Sequence, residues 1–205
     1  MKTIVSILWR HSFRCFVILG GFFLLCKAII NHSTVEDSRP VSMFSVHHLG
    51  DDYLISRFYV NKSIMDSVGE GGGGGSRMCC VNLPDKWNSR LSAEVRWEVH
   101  KLIRSSDHGP PKTAELVGMY KAQVPVEIYE KPSLFWVHFY PGGKVRIVVS
   151  PFSFDRENHP IRWDDEQSSR SASQGEILEN FFTADELAEF DRIIENDRKQ
   201  YGGWR

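Results

Sequence analysis

The chain is expected to be mainly β, an antiparallel sandwich or strongly twisted sheet of about seven or eight short strands. An N-terminal membrane helix and a C-terminal amphipathic helix are expected to flank it. Three observations carry this expectation. Apolar and polar residues alternate with period 2 through most of the segment 42–161. A glycine turn, Pro141-Gly142-Gly143, separates two runs rich in aromatic and β-branched residues. The helical pattern appears only at the two ends, so no β-α-β alternation is visible.

The N-terminal segment reads as an address. Phe16 to Ile30 is apolar, interrupted by Lys27, and Arg10 and Arg14 precede it. A basic flank before an apolar stretch keeps the N-terminus cytoplasmic and sends the rest across the membrane. Residues 1–31 are therefore expected to be a signal anchor or signal peptide. Localisation follows: the bacterial inner membrane with the domain in the periplasm, or alternatively a lipoprotein or cleaved periplasmic form. Phe23-Leu24-Leu25 before Cys26 lacks the small residues of a lipidation site. Residues 32–41 are polar and are expected to be an exposed tether.

Composition bounds the rest. The 205 residues are 41% hydrophobic with 13 Phe and 6 Trp, enough for one domain core plus appendages. Only Lys2, Arg10, Arg14 and Lys27 are charged before Glu36, which leaves 21 basic against 26 acidic residues beyond. No basic excess points to a nucleic-acid partner, none is expected, and the mildly acidic balance suits a protein partner.

Each strand has its own pattern. Met43 to His48 and Tyr53 to Val60 alternate around the turn Gly50-Asp51-Asp52; in the second, Leu54, Ser56, Phe58 and Val60 should share a face. Ala93, Val95, Trp97 and Val99 should face the core, with Glu94, Arg96, Glu98 and His100 toward water. A loop should run from 103 to 113, and Leu116 to Glu130 should form one or two strands, with Pro125 at an edge. In the glycine hairpin, Phe135, Val137 and Phe139 should pair against Val145, Ile147 and Val149. Residues 162–205 are expected to be a polar loop and a helix. Thr183 and Glu186 form a capping box, and Leu187, Phe190, Ile193 and Ile194 make an apolar stripe expected to pack on the sheet.

Candidate sites are few. A glycine run, Gly69 to Gly75, ends in Ser76-Arg77-Met78 and then in Cys79-Cys80-Val81-Asn82-Leu83-Pro84. It opens no helix and lacks a following Gly-Lys-Ser/Thr, so it reads as a flexible loop and not a phosphate cradle. Cys79 and Cys80 are adjacent, so one side chain should turn inward and one outward. They are read as a vicinal disulfide, as two packed thiols, or as a metal or redox pair. His47, His48, His100, His138 and His159 invite metal or general-base chemistry, but no H-E-x-x-H or Gly-x-Ser-x-Gly motif accompanies them. No cofactor is expected. The second face of the hairpin carries Trp136, His138 and Tyr140 beside Lys144 and Arg146. That face is either an exposed partner surface or is covered by the C-terminal helix.

Phe44-Ser45-Val46-His47-His48, Tyr53 to Asn61, the glycine run into Cys79-Cys80-Val81-Asn82-Leu83-Pro84 with Trp87, and Val95-Arg96-Trp97 together resemble the bacterial domain-of-unknown-function-3304 family. Val124-Pro125-Val126-Glu127, Val137-His138-Phe139, Val148 to Pro151 and His159-Pro160 extend the resemblance over residues 42–161. Lys62 follows Asn61 where family members tend to have glycine. The resemblance implies an exported or membrane-anchored protein with no assigned catalytic residues. It further implies an immunity protein that neutralises a type VI secretion lipase effector, a phospholipase, without being an enzyme itself. A structural envelope role and a weak thiol-dependent enzyme are the alternatives.

Overall fold

Two runs of β-prone residues around Gly142 and Gly143, both at positive φ, close as the sequence dictates. β7 (Phe135–Tyr140) and β8 (Lys144–Val149) pair with Phe135 opposite Val149, Val137 opposite Ile147 and Phe139 opposite Val145. The computed structural model describes residues 37–72, 78–105, 109–162, 165 and 167–201. The signal anchor expected over 1–31 lies outside the described residues. Among the described residues, no helix is long and apolar enough to cross a membrane.

Among the described residues, ten strands form two five-stranded sheets. One has the order β4-β1-β7-β8-β9, with β1 (Ser38–His47), β4 (Met78–Pro84) and β9 (Ser173–Gln174). The other has the order β10-β6-β5-β2-β3. It comprises β2 (Tyr53–Val60), β3 (Ser63–Met65), β5 (Ser92–Arg104), β6 (Pro111–Pro125) and β10 (Glu176–Leu178). Inward residues of both sheets build one core, including Met43, Phe58, Trp97, Phe135 and Phe139. The mainly β expectation holds at this level, and several finer expectations need correction. β5 and β6 are long, with 13 and 15 residues. β1 and β7 are parallel, because the connection between them crosses through the other sheet. The stretch expected as a tether already belongs to the sheet from Ser38, where Ser38 lies opposite Pro84 and Arg39 pairs with Asp85 at 2.6 Å.

Irregularities set the side-chain directions. β2 bulges between Ile55 and Arg57, which places Ile55, Phe58 and Val60 in the core, a set no strict alternation can produce. The turn Asn61-Lys62 keeps two positive φ values, 49° and 67°, the geometry of a two-residue primed hairpin despite the missing glycine. At Gly175 the chain steps from one sheet to the other. A Cβ there would meet the Trp97 ring at 2.6 Å and the Gly143 carbonyl oxygen at 3.0 Å, so only glycine fits. The stretch expected as a featureless polar loop thus contributes β9 and β10, and also a short 3-10 turn at Ser168–Ser171.

The C-terminal helix α1 (Ala184–Tyr201) begins where the capping box places it. The Glu186 amide donates to Thr183 Oγ1 at 3.2 Å, and the Thr183 amide donates to Glu186 at 3.0 Å. Its apolar stripe does not lie on the sheet. Leu187, Ile193 and Ile194 are at least half exposed, and of the stripe Phe190 alone is half-buried, against Phe182.

Candidate functional site

β7 is buried on both faces, so its outward residues need a second cover. Trp136, His138 and Tyr140 alternate on that outer face. β1 runs parallel beside it and supplies Phe44, Val46 and His48 at the matching register. The segment after β8 folds back over them with Phe154, His159, Ile161 and Ala172, and a second small core results. Trp136 stacks on Phe44 at 4.8 Å between ring centroids, meets His159 edge-on at 5.2 Å, and donates its indole N–H to the Ser150 carbonyl at 3.2 Å. The face expected as an exposed partner surface, or one covered by α1, is therefore interior, and Phe154, His159, Ile161 and Ala172 do the covering. Polar spacing in that segment hid this, because its few apolar residues are scattered without period.

Three imidazoles form a chain inside this layer. His48 Nε2 lies 3.0 Å from His138 Nδ1, His138 Nε2 lies 3.1 Å from His159 Nε2, and His159 Nδ1 lies 3.0 Å from the Phe152 carbonyl oxygen. The terminal carbonyl only accepts, so with all three rings neutral it fixes every proton upstream. His159 carries its proton on Nδ1 and accepts on Nε2. His138 donates from Nε2 and accepts on Nδ1, and His48 donates from Nε2. Neutral rings satisfy all three bonds in this one arrangement. Burial pushes the His138 pKa well below its ordinary 6.5, and His48, His159 and Arg146 add to the effect. Burial also lowers that of His159, against the stabilising Phe152 carbonyl. The middle ring spends both nitrogens on its neighbours, so the three do not converge on a common point. Among the described residues no group of three or more His, Cys, Asp or Glu could hold a metal ion.

The basic pair of the expected surface sits at the rim. Lys144 lies opposite Tyr140 and Gln174. Arg146 donates to Glu127 at 2.7 Å and to the Ser168 carbonyl at 2.8 Å, tying β8 to the covering segment. Burial opposes its charge, but Glu127 outweighs burial and raises its pKa. A cleft of about 220 Å³ opens beside it, between Pro125, Glu127 and Ser173. The Tyr140 hydroxyl is buried nearby without a well-formed hydrogen bond, and burial raises its pKa.

His47 points to the opposite face of β1. Its Nδ1 accepts the Leu49 amide at 3.3 Å, so its Nε2 proton is donated to the Gly69 carbonyl at 2.7 Å. This ring fastens the start of the glycine run to the sheet. Burial lowers its pKa, with Gly69 acting the other way.

Cys79 and Cys80 form a disulfide across one peptide bond on the edge strand β4. Val41 lies opposite Val81 and Met43 opposite Met78, so the pair fills a bulge facing Ser42. Both cysteines are exposed. The expectation that one side chain turns into the core fails because the bulge suspends the alternation there. Leu83 and Trp87 provide the anchoring instead; Trp87 donates its indole N–H to the Val126 carbonyl at 2.8 Å.

The other sheet holds an ionic layer that sequence patterning placed in water. Arg96 and Glu98 are buried. Arg96 donates two bonds to Glu186, at 3.0 and 2.7 Å, one to Glu94 at 2.8 Å and one to the Phe181 carbonyl, and its guanidinium lies 4.8 Å from the Phe182 ring. These bonds hold the Glu186 pKa far below the usual carboxylate range and raise that of Arg96. Glu98 accepts from Arg57 at 3.1 and 2.9 Å and from Ser56. Burial opposes its charge, yet these donors together lower its pKa. His100 sits 3.4 Å from the Glu98 carboxylate.

Sequence reading named His48, His138 and His159 singly and did not bring them together, since the parallel register of β1 on β7 has no local signal. The family model of DUF3304, proteins of unknown function, matches residues 50–147. This supports placing the β domain in that family. The resemblance at Phe44–His48, Val148–Pro151 and His159-Pro160 lies beyond the matched stretch. No curated protein and no solved structure matches the chain.

Proposed function

We propose that this chain is a non-enzymatic binding protein, anchored in the bacterial inner membrane by its N-terminal segment and facing the periplasm. There it neutralises a type VI secretion lipase effector by direct association. One observation carries the binding reading. The side chains with chemical potential are committed to partners within the chain: His47 to Gly69, the three-histidine chain to Phe152, Arg96 to Glu94 and Glu186. Groups held this way rigidify the fold beneath a binding surface. The exposed disulfide suits an oxidising compartment. The family match over 50–147 and the flanking resemblance motivate the lipase partner.

Co-expression of the full chain with a periplasm-directed lipase effector encoded beside it tests the reading. Association of the two proteins and survival of the cells are expected. Lack of both would defeat the proposal and leave a structural envelope role. The accessible disulfide favours one rival, a thiol-dependent activity. The C79S/C80S double variant separates the two: protection survives if binding is the function and disappears if thiol chemistry is.

A further inference from the structure

We infer that helix α1 is a pairing arm, occupied by the same helix of a second copy of this chain in antiparallel orientation. The two-fold axis passes at Ile194. Among the described residues the helix is anchored in its first two turns, through Glu186 on Arg96 and Lys62 and through Phe190 against Phe182 and Lys62. Residues 191–200 are exposed without exception. An uncovered run of this length is marginal as a helix in water, since packing of an apolar face supplies most helical stability. That face exists: Leu187 and Ile194 lie two turns apart on one line and are 50% and 55% exposed, with Ile193 beside them at 50%.

Charge decides the occupant. Residues 184–191 carry four carboxylates, Asp185, Glu186, Glu189 and Asp191, and no base; residues 192–201 carry Arg192, Arg198 and Lys199 against two carboxylates. An anionic membrane surface would repel the acidic half. A parallel copy would set the acidic halves side by side. An antiparallel copy sets acidic against basic. Asp191 and Arg198 are seven residues apart, so they flank the Leu187–Ile194 line on the same side, three residues before Ile194 and four after. Antiparallel pairing about Ile194 therefore brings Asp191 of each chain alongside Arg198 of the other, twice by symmetry. Arg198 now holds only a 3.4 Å contact to Glu195 on an exposed surface, which is readily exchanged.

The test is cysteine cross-linking of the full chain in its own membrane. Ile194→Cys should give an oxidant-dependent adduct of twice the chain mass, above the background that Cys15 and Cys26 give in the parent. Arg192→Cys, roughly 200° around the helix, should give several-fold less. In the I194C background, Asp191→Arg or Arg198→Asp alone should cut the yield several-fold, and the two together should restore it. Equal yields from positions 192 and 194, or charge reversals without effect, would overturn the pairing. An Ile194→Cys adduct of any other mass would assign the helix to a different protein and overturn it too.

Discussion

Each sheet of this domain covers part of its outer face, and the two covers differ in kind. Over β7 the cover is aromatic: Trp136, Tyr140 and three hydrogen-bonded imidazoles under Phe154, Ile161 and Ala172. Over β5 it is ionic: Arg96, Glu94 and Glu186 under the start of α1. The first cover rests on shape and on the buried His138 and His159 rings staying neutral. The second rests on charge and on one guanidinium. The two should therefore fail under different insults.

The largest effect is expected in the aromatic layer. Trp136→Ala empties a site that is 3% exposed and should cost about 4 kcal/mol in urea unfolding. Arg96→Met should cost about 2–3 kcal/mol, less than a fully buried pair because Glu94 and Glu186 keep some water. Its loss should also release α1, seen as rapid amide exchange from Phe181 onward while β7 stays protected. That contrast would break down if Arg96→Met exposed both covers equally.

Acid should separate the covers further. His47, His138 and His159 have folded pKa values lowered from 6.5, so the unfolded chain binds more protons once the pH drops below about 6.5. Their contribution is present above that pH and is lost as the pH falls, so the denaturation midpoint should decline first in the histidine window. Glu98 and Glu186 are lowered from 4.5, so the ionic cover should weaken only at more acid pH. A stability profile flat from pH 7 to 5 would contradict the neutral-ring layer. The smallest effect is expected at the cap: Thr183→Ala should cost about 1 kcal/mol, confined to α1.

Local signals in the sequence were reliable where one element decides its own geometry. The Gly142-Gly143 hairpin, the inward set Val95, Trp97 and Val99, and the Thr183–Glu186 box all follow from spacing and turn chemistry. What escaped depends on distant partners. Arg96 reads as solvated until Glu186, 90 residues later, reaches it. His138 reads as a surface group until parallel β1 and His159 close over it. The bulges at Ser56 and at Cys79-Cys80 shift alternation by one residue, and no composition marks them. The candidate site was thus half legible: its residues stood out, but their burial did not.

The central claim is that the chemically suggestive histidines are fixed, neutral elements of a covering layer. Nitrogen NMR of the imidazoles in the full chain tests it most directly. At pH 6.5 His138 should appear as the Nε2–H tautomer and His159 as the Nδ1–H tautomer, both neutral. Imidazolium signals from either ring at pH 6.5 would contradict it.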